Sequence, residues 1–125
     1  MEESYKVIIA GGRDFSNYDL LLEKCDYYLV EKTNVEVVSG GAKGADKLGE
    51  RYAKERNLPL KIFLADWASL GKRAGFVRNI EMAEYADALI AFFDGNSKGT
   101  KHMIDTAKEK GLPVKVITYN NTFNF

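Results

Sequence analysis

Apolar positions along this chain fall into short, nearly continuous runs, separated by longer stretches in which they recur every three or four residues. Tyr5 to Ala10 is the first run, closed by Gly11 and Gly12, and it predicts a strand buried on both faces. Ser16 followed by Asp19 has the form of a capping box. Behind it Tyr18, Leu21, Leu22, Cys25 and Leu29 keep helical spacing and predict a helix of about four turns. Val35 to Val38 predicts a second strand, ending in Ser39, Gly40 and Gly41. Ala45, Leu48, Tyr52 and Ala53 mark a second amphipathic helix that should stop near Asn57. Leu60 to Leu64 reads as a third strand, followed by a polar connection to about Gly75. Val77, Ile80 and Ala83, with Met82, Tyr85 and Ala86, predict a third helix, and Ala88 to Phe93 a fourth strand. A fourth helix carries Met103, Ile104 and Ala107 inward, ended by Gly111 with Pro113 beyond it, and Val114 to Thr118 is the fifth strand.

Two junctions match. Asn57, Leu58, Pro59, Leu60, Lys61, Ile62 parallels Gly111, Leu112, Pro113, Val114, Lys115, Val116, and both read as αL caps handing over to a buried strand. Strict alternation of strand and helix implies right-handed crossovers and a parallel sheet. The expected architecture is α/β, a Rossmann-like three-layer sandwich with a five-stranded parallel sheet, as one domain over residues 1–125. The Asn-rich tail from Tyr119 to Phe125 is expected to dock its aromatics on a neighbour.

Composition restricts what such a domain could do. Of 125 residues, 46% are hydrophobic and 12% aromatic, enough for a real core. Basic and acidic side chains balance at 18 each, so no global field draws the protein to nucleic acid or a membrane, and anion binding must be local. Cys25, the sole cysteine, cannot form an internal disulfide and sits on an apolar helical stripe. No leader pattern and no apolar run of roughly 20 residues is visible, which points to a cytoplasmic protein with no membrane partner.

In an open parallel sheet, ligands bind outside the carboxyl ends of the strands. Four loops lie there. The first holds Gly11, Gly12, Arg13 and Asp14; the second runs Ser39, Gly40, Gly41, Ala42, Lys43, Gly44, Ala45, Asp46. The third extends from Asp66 through Trp67, Lys72 and Arg73 to Arg78 and Asn79, and the last is Asp94, Gly95, Asn96, Ser97, Lys98, Gly99, Thr100. Glycines in the second loop let backbone approach an anion, and the helix behind offers unpaired N–H groups. The last loop repeats that arrangement. Against this stands the simpler role of glycines in tight turns. Neither a Walker loop nor a G-x-G-x-x-G fingerprint is present, so hydride chemistry on a nicotinamide is unsupported.

Arg13 and Arg78 are the cationic candidates, because a guanidinium offers a fork to phosphate. The alternative for Arg78 is an ion pair with Glu81, three residues on. Asp46 and Asp94 suit ribose hydroxyls, a general base or helix caps. Trp67 suits stacking on a base or a place in the core, while His102 reads as solvated. No His, Cys and carboxylate cluster has metal spacing, so no metal and no required cofactor is expected.

Taken in order, these residues resemble the SLOG superfamily, the Rossmann-like group containing Smf/DprA and the LOG enzymes, and most closely its small YspA-type branch. The likeness rests on Gly11 to Phe15, on Ser39 to Ala42 with Gly44 to Asp46, on Gly71 through Asn79, on Ala86 to Ala88 with Ile90 to Phe92, and on Gly99 and Thr100. It implies a nucleotide-related ligand. LOG enzymes cleave a base from a ribose monophosphate with an arginine, matched by Arg78, and a glutamate after a P-G-G-x-G-T loop. The corresponding position here is Met103, which removes the obvious general base. The expectation is therefore binding of a nucleotide or ribose-phosphate ligand, for sensing or sequestering, with LOG-like phosphoribohydrolysis as the alternative and Arg78 and Asp94 as its catalytic candidates. Relatives commonly pair, so a homodimer or larger homo-oligomer is expected through exposed Met82, Tyr85 and Met103. Single-stranded DNA fits poorly, for neutral charge and one tryptophan supply little of a basic, stacking groove.

Overall fold

In the computed structural model, which describes residues 3–120, five parallel strands form one sheet. They are β1 (Tyr5–Gly11), β2 (Val35–Ser39), β3 (Leu60–Ile62), β4 (Ala88–Phe93) and β5 (Val114–Thr118), in the order β3-β2-β1-β4-β5. The helices are α1 (Tyr18–Leu29), α2 (Ala45–Glu55), α3 (Trp67–Leu70), α4 (Ala74–Tyr85) and α5 (Lys98–Glu109), with a 3-10 turn over Gly71–Arg73. Alternate residues of the buried strands feed two cores. Val7, Ile9, Val37, Ile90 and Phe92 meet Leu21 and Cys25 of α1 and Tyr52 and Ala53 of α2. Ile8, Ala10, Val38, Leu89 and Ala91 meet Met82 and Ala83 of α4 and Met103 and Ala107 of α5. The protein is thus a Rossmann-like α/β three-layer sandwich, and the strand order reverses between β1 and β4.

Several local expectations are corrected. Asn17, not Ser16, caps α1, its side chain accepting the Leu20 N–H at 3.0 Å, and α1 has 12 residues, nearer three turns than four. The matched junctions do place Asn57 (φ 55°) and Gly111 (φ 78°) left-handed, but they lead to the two edge strands. Lys61, Ile62, Lys115 and Val116 are accordingly exposed. The third strand ends at Ile62, and the polar connection is helical, as α3 and the 3-10 turn. Asp66 starts it by accepting the Ser69 N–H at 3.1 Å. Met82 and Met103 are interior, so the apolar side chains α4 exposes are Phe76 and Ile80. Tyr119 packs its ring against Phe15 of the same chain, 4.7 Å between centroids, and the tail beyond Asn120 lies outside the described residues. No helix among the described residues is long and apolar enough to cross a membrane.

Candidate functional site

A cleft of about 460 Å³ opens where the strand order reverses, between the loops after β1 and β4. The β1 loop is pinned from beneath. Phe15 stacks on Phe92 at 4.8 Å, and Tyr119 donates its hydroxyl to Asp14 at 2.8 Å, so Gly12, Arg13 and Asp14 are held at the rim. On the β4 side, Asp94 accepts the N–H groups of Asn96 (2.8 Å) and Ser97 (2.9 Å), which holds its carboxyl below the usual carboxylate range. Ser97 caps α5 by accepting the Thr100 N–H, and its hydroxyl lies 2.9 Å from that of Thr100. Asn79, buried on α4, donates to the Gly99 carbonyl at 3.2 Å and lies 3.1 Å from His102 Nδ1. It ties α4 to the first turn of α5.

His102 is therefore not simply solvated. Its ring packs on Phe76 at 4.3 Å, and burial lowers its pKa.

The second loop behaves differently from a free phosphate cradle, because three of its amides are already engaged. Gly41 N–H donates to Ser39 Oγ at 3.1 Å, Ala42 N–H to Asp46 Oδ2 at 3.2 Å, and Ala45 N–H to the Gly12 carbonyl at 3.1 Å. Ser39 is fully buried beneath the loop, where its hydroxyl donates to Glu50 at 2.7 Å. Ser39 and Gly44 therefore support the loop from outside the cleft, and Arg73 lies outside it too. Ala42 and Asp46 do line it, while Gly40 and Gly41 line an adjoining cavity. Gly40 leaves room for the two charged side chains behind it: a Cβ there would lie 2.8 Å from Asp46 Oδ2 and 3.1 Å from Arg78 Nε, so one of them would have to shift.

Arg78 forms no ion pair with Glu81 among the described residues and donates from Nη1 to the Gly40 carbonyl at 3.0 Å. Its Nε is buried with no hydrogen-bond partner among the described residues. Burial lowers its pKa, opposed by the nearby Asp46 carboxylate. Asp46, 5% exposed, is pushed up to about 6 by burial, against the pull of the Ala42 N–H and Arg78. The native state thus holds this proton more tightly than the unfolded chain, whose value is about 3.8. Stability should be fully present below about 4 and fall as pH rises through about 6, by up to about 3 kcal/mol. Urea midpoints across that range should show the fall in the native protein and a flattened profile in Asp46→Asn, whose amide oxygen can still accept from Ala42.

Gly11, Trp67, Asn79, Asp94, Ser97, Gly99 and Thr100 all line the cleft. Lys72, Gly75 and Phe76 join them, as do Met82 and Met103, expected on an exposed pairing surface and lying instead at the cleft. Lys72 is the third cation of the site, and the helical turn that aims it is unmarked by any apolar period. Among the described residues no group of His, Cys and carboxylates could hold a metal ion.

A parallel sheet with a cleft at its reversal point defines the class: a Rossmann-like α/β domain. The chain belongs to the YspA, cpYpsA-related SLOG family, which it matches over residues 5–69. The gene 61 protein of Mycobacterium phage D29 is 38% identical over 122 residues, covering 87% of this chain and 93% of that protein. Among solved structures, DNA processing protein A (DprA) from Streptococcus pneumoniae is similar with a TM-score of 0.74 at 20% identity over 93% of this chain. The chain spans about half (51%) of that molecule. The structural-genomics target TM1055 is similar with a TM-score of 0.63 at 21% identity, covering 90% of this chain and 72% of its own. At these identities the two structures establish the shared fold.

Proposed function

We propose that the cleft binds a nucleotide or nucleotide-derived ligand, as a sensing or sequestering site. One observation carries this reading: the reversal point of the sheet brings Arg13, Lys72 and Arg78 into the same cleft as the carboxylates of Asp14, Asp46 and Asp94. Cations suit phosphate, and carboxylates accept from sugar hydroxyls but repel phosphate, so the mixture matches a ligand with both groups. Hydrolysis of an N-glycosidic bond is the second reading, favoured by one fact. A cleft-lining carboxyl with its pKa pushed up to about 6 could act as acid or base near neutrality. Binding is preferred because Asp46 already accepts the Ala42 N–H, and because Met103 lines the floor where a further carboxylate would be useful.

Titration calorimetry with nucleoside mono- and diphosphates, ADP-ribose and cyclic dinucleotides should give a saturable isotherm for at least one, with no free base after prolonged incubation. Failure of every ligand at millimolar concentration overturns the binding reading. Release of free base by the native protein, abolished in Asp46→Asn, would replace it with the hydrolytic one.

A further inference from the structure

The central cleft is not alone. A second cavity of about 530 Å³ adjoins it, lined by the Gly40 to Lys43 segment on one side and by Leu64 and Ala65 on the other. The two share a wall made of Arg13, Ala42, Trp67 and Arg78. Each is large enough for a small-molecule group, in the range of about 300–1,000 Å³.

Their chemistry differs in kind. No carboxylate lines the lateral cavity; it offers Leu64, 74% exposed, and Trp67, 49% exposed, two large apolar side chains left open to solvent. The central cleft holds the carboxylates, with Asn79 and Thr100. Between them stand two guanidiniums, and Arg78 has a buried donor, Nε, without a partner among the described residues.

Building on the nucleotide reading above, we infer that the ligand is a nucleoside diphosphate carrying a second, hydroxyl-rich group, spread across both cavities. The flat base lies laterally against Trp67 and Leu64, where stacking and apolar burial are on offer and no charge repels it. The diphosphate crosses the shared wall at Arg13 and Arg78, where Arg13 can present a fork to phosphate oxygens and Arg78 its remaining Nη N–H groups. The distal sugar reaches the central cleft, where Asp14, Asp46 and Asp94 accept from its hydroxyls. A mononucleotide would leave one cavity empty.

Trp67 is the only tryptophan of the chain, so its fluorescence reports on the wall between the cavities. The test compares ADP-ribose and UDP-glucose with AMP, UMP and ribose 5-phosphate, by calorimetry and by Trp67 emission. At least one of the two-part ligands should bind tenfold or more tighter than its mononucleotide and, at saturation, change Trp67 emission more than ribose 5-phosphate does. Leu64→Ser, at an exposed position where folding is not at stake, should weaken the two-part ligand and spare ribose 5-phosphate. Equal affinity for two-part ligands and mononucleotides, or calorimetric saturation with unchanged emission, overturns the two-cavity inference and leaves the nucleotide reading standing. Absence of binding by all five overturns the inference, and the nucleotide reading falls with it only if the wider panel also fails.

Discussion

Gly44→Ala is expected to be the most destabilising single substitution in the loops around the cleft. Gly44 precedes α2 with φ 76° and ψ −126°, a conformation open to glycine but strained for any residue with a Cβ. An added Cβ would also overlap the carbonyl oxygens of Gly12 and Arg13. Those atoms cannot simply retreat, for the Gly12 carbonyl accepts the Ala45 N–H at 3.1 Å and the Phe15 N–H at 3.2 Å. Backbone strain and overpacking together should cost about 2–5 kcal/mol, read as a lowered urea midpoint. Gly71→Ala isolates the two contributions. Gly71 also has a positive φ, 61°, but nothing lies within 4 Å of its Cβ position, so only the strain of roughly 1–2 kcal/mol should appear there. Equal losses at the two sites would show that the overlap at Gly44 relaxes freely.

Gly44 also illustrates how far the sequence could be read. A glycine before a helix was legible as part of a ligand loop, because the pattern of glycines and a following helix is local. Its actual neighbour is the backbone of another loop, more than thirty residues earlier, which no local pattern displays. Strand and helix alternation likewise gave the parallel sheet, yet not which strands lie at its edges. A clue was present in Lys61 and Lys115, each at the centre of a short apolar run, since lysine is a common edge-strand device. Ser39 shows the reverse case. A small hydroxyl beside two glycines looks like a phosphate ligand, but its partner is Glu50, buried one and a half turns into α2. For Arg78 the pattern offered Glu81, because helical spacing compares side chains only; the partner is a backbone carbonyl in the loop after β2.

Arg78→Met should separate binding from folding at this site. The guanidinium gives up hydration to lie half-buried, and its hydrogen bond to the Gly40 carbonyl offsets only part of that loss. Methionine keeps the length of the side chain and removes the half-buried charge. The loss of stability is larger once Asp46 ionises, but at about pH 5 and below, where its carboxyl is largely protonated, folding stability should stay within about 1 kcal/mol of the native protein. Ligand affinity should not. A charge-assisted hydrogen bond contributes about 1.5–3 kcal/mol, so losing the one proposed to a phosphate should weaken binding roughly 10- to 100-fold. The same substitution removes the cation that pulls the Asp46 pKa down, so the value near 6 should move higher. The fall in stability with rising pH would then extend further toward neutrality than in the native protein. An unchanged ligand affinity with an altered pH profile would confine Arg78 to supporting the loop; an unchanged profile would mean that solvent, rather than Arg78, screens the Asp46 carboxylate.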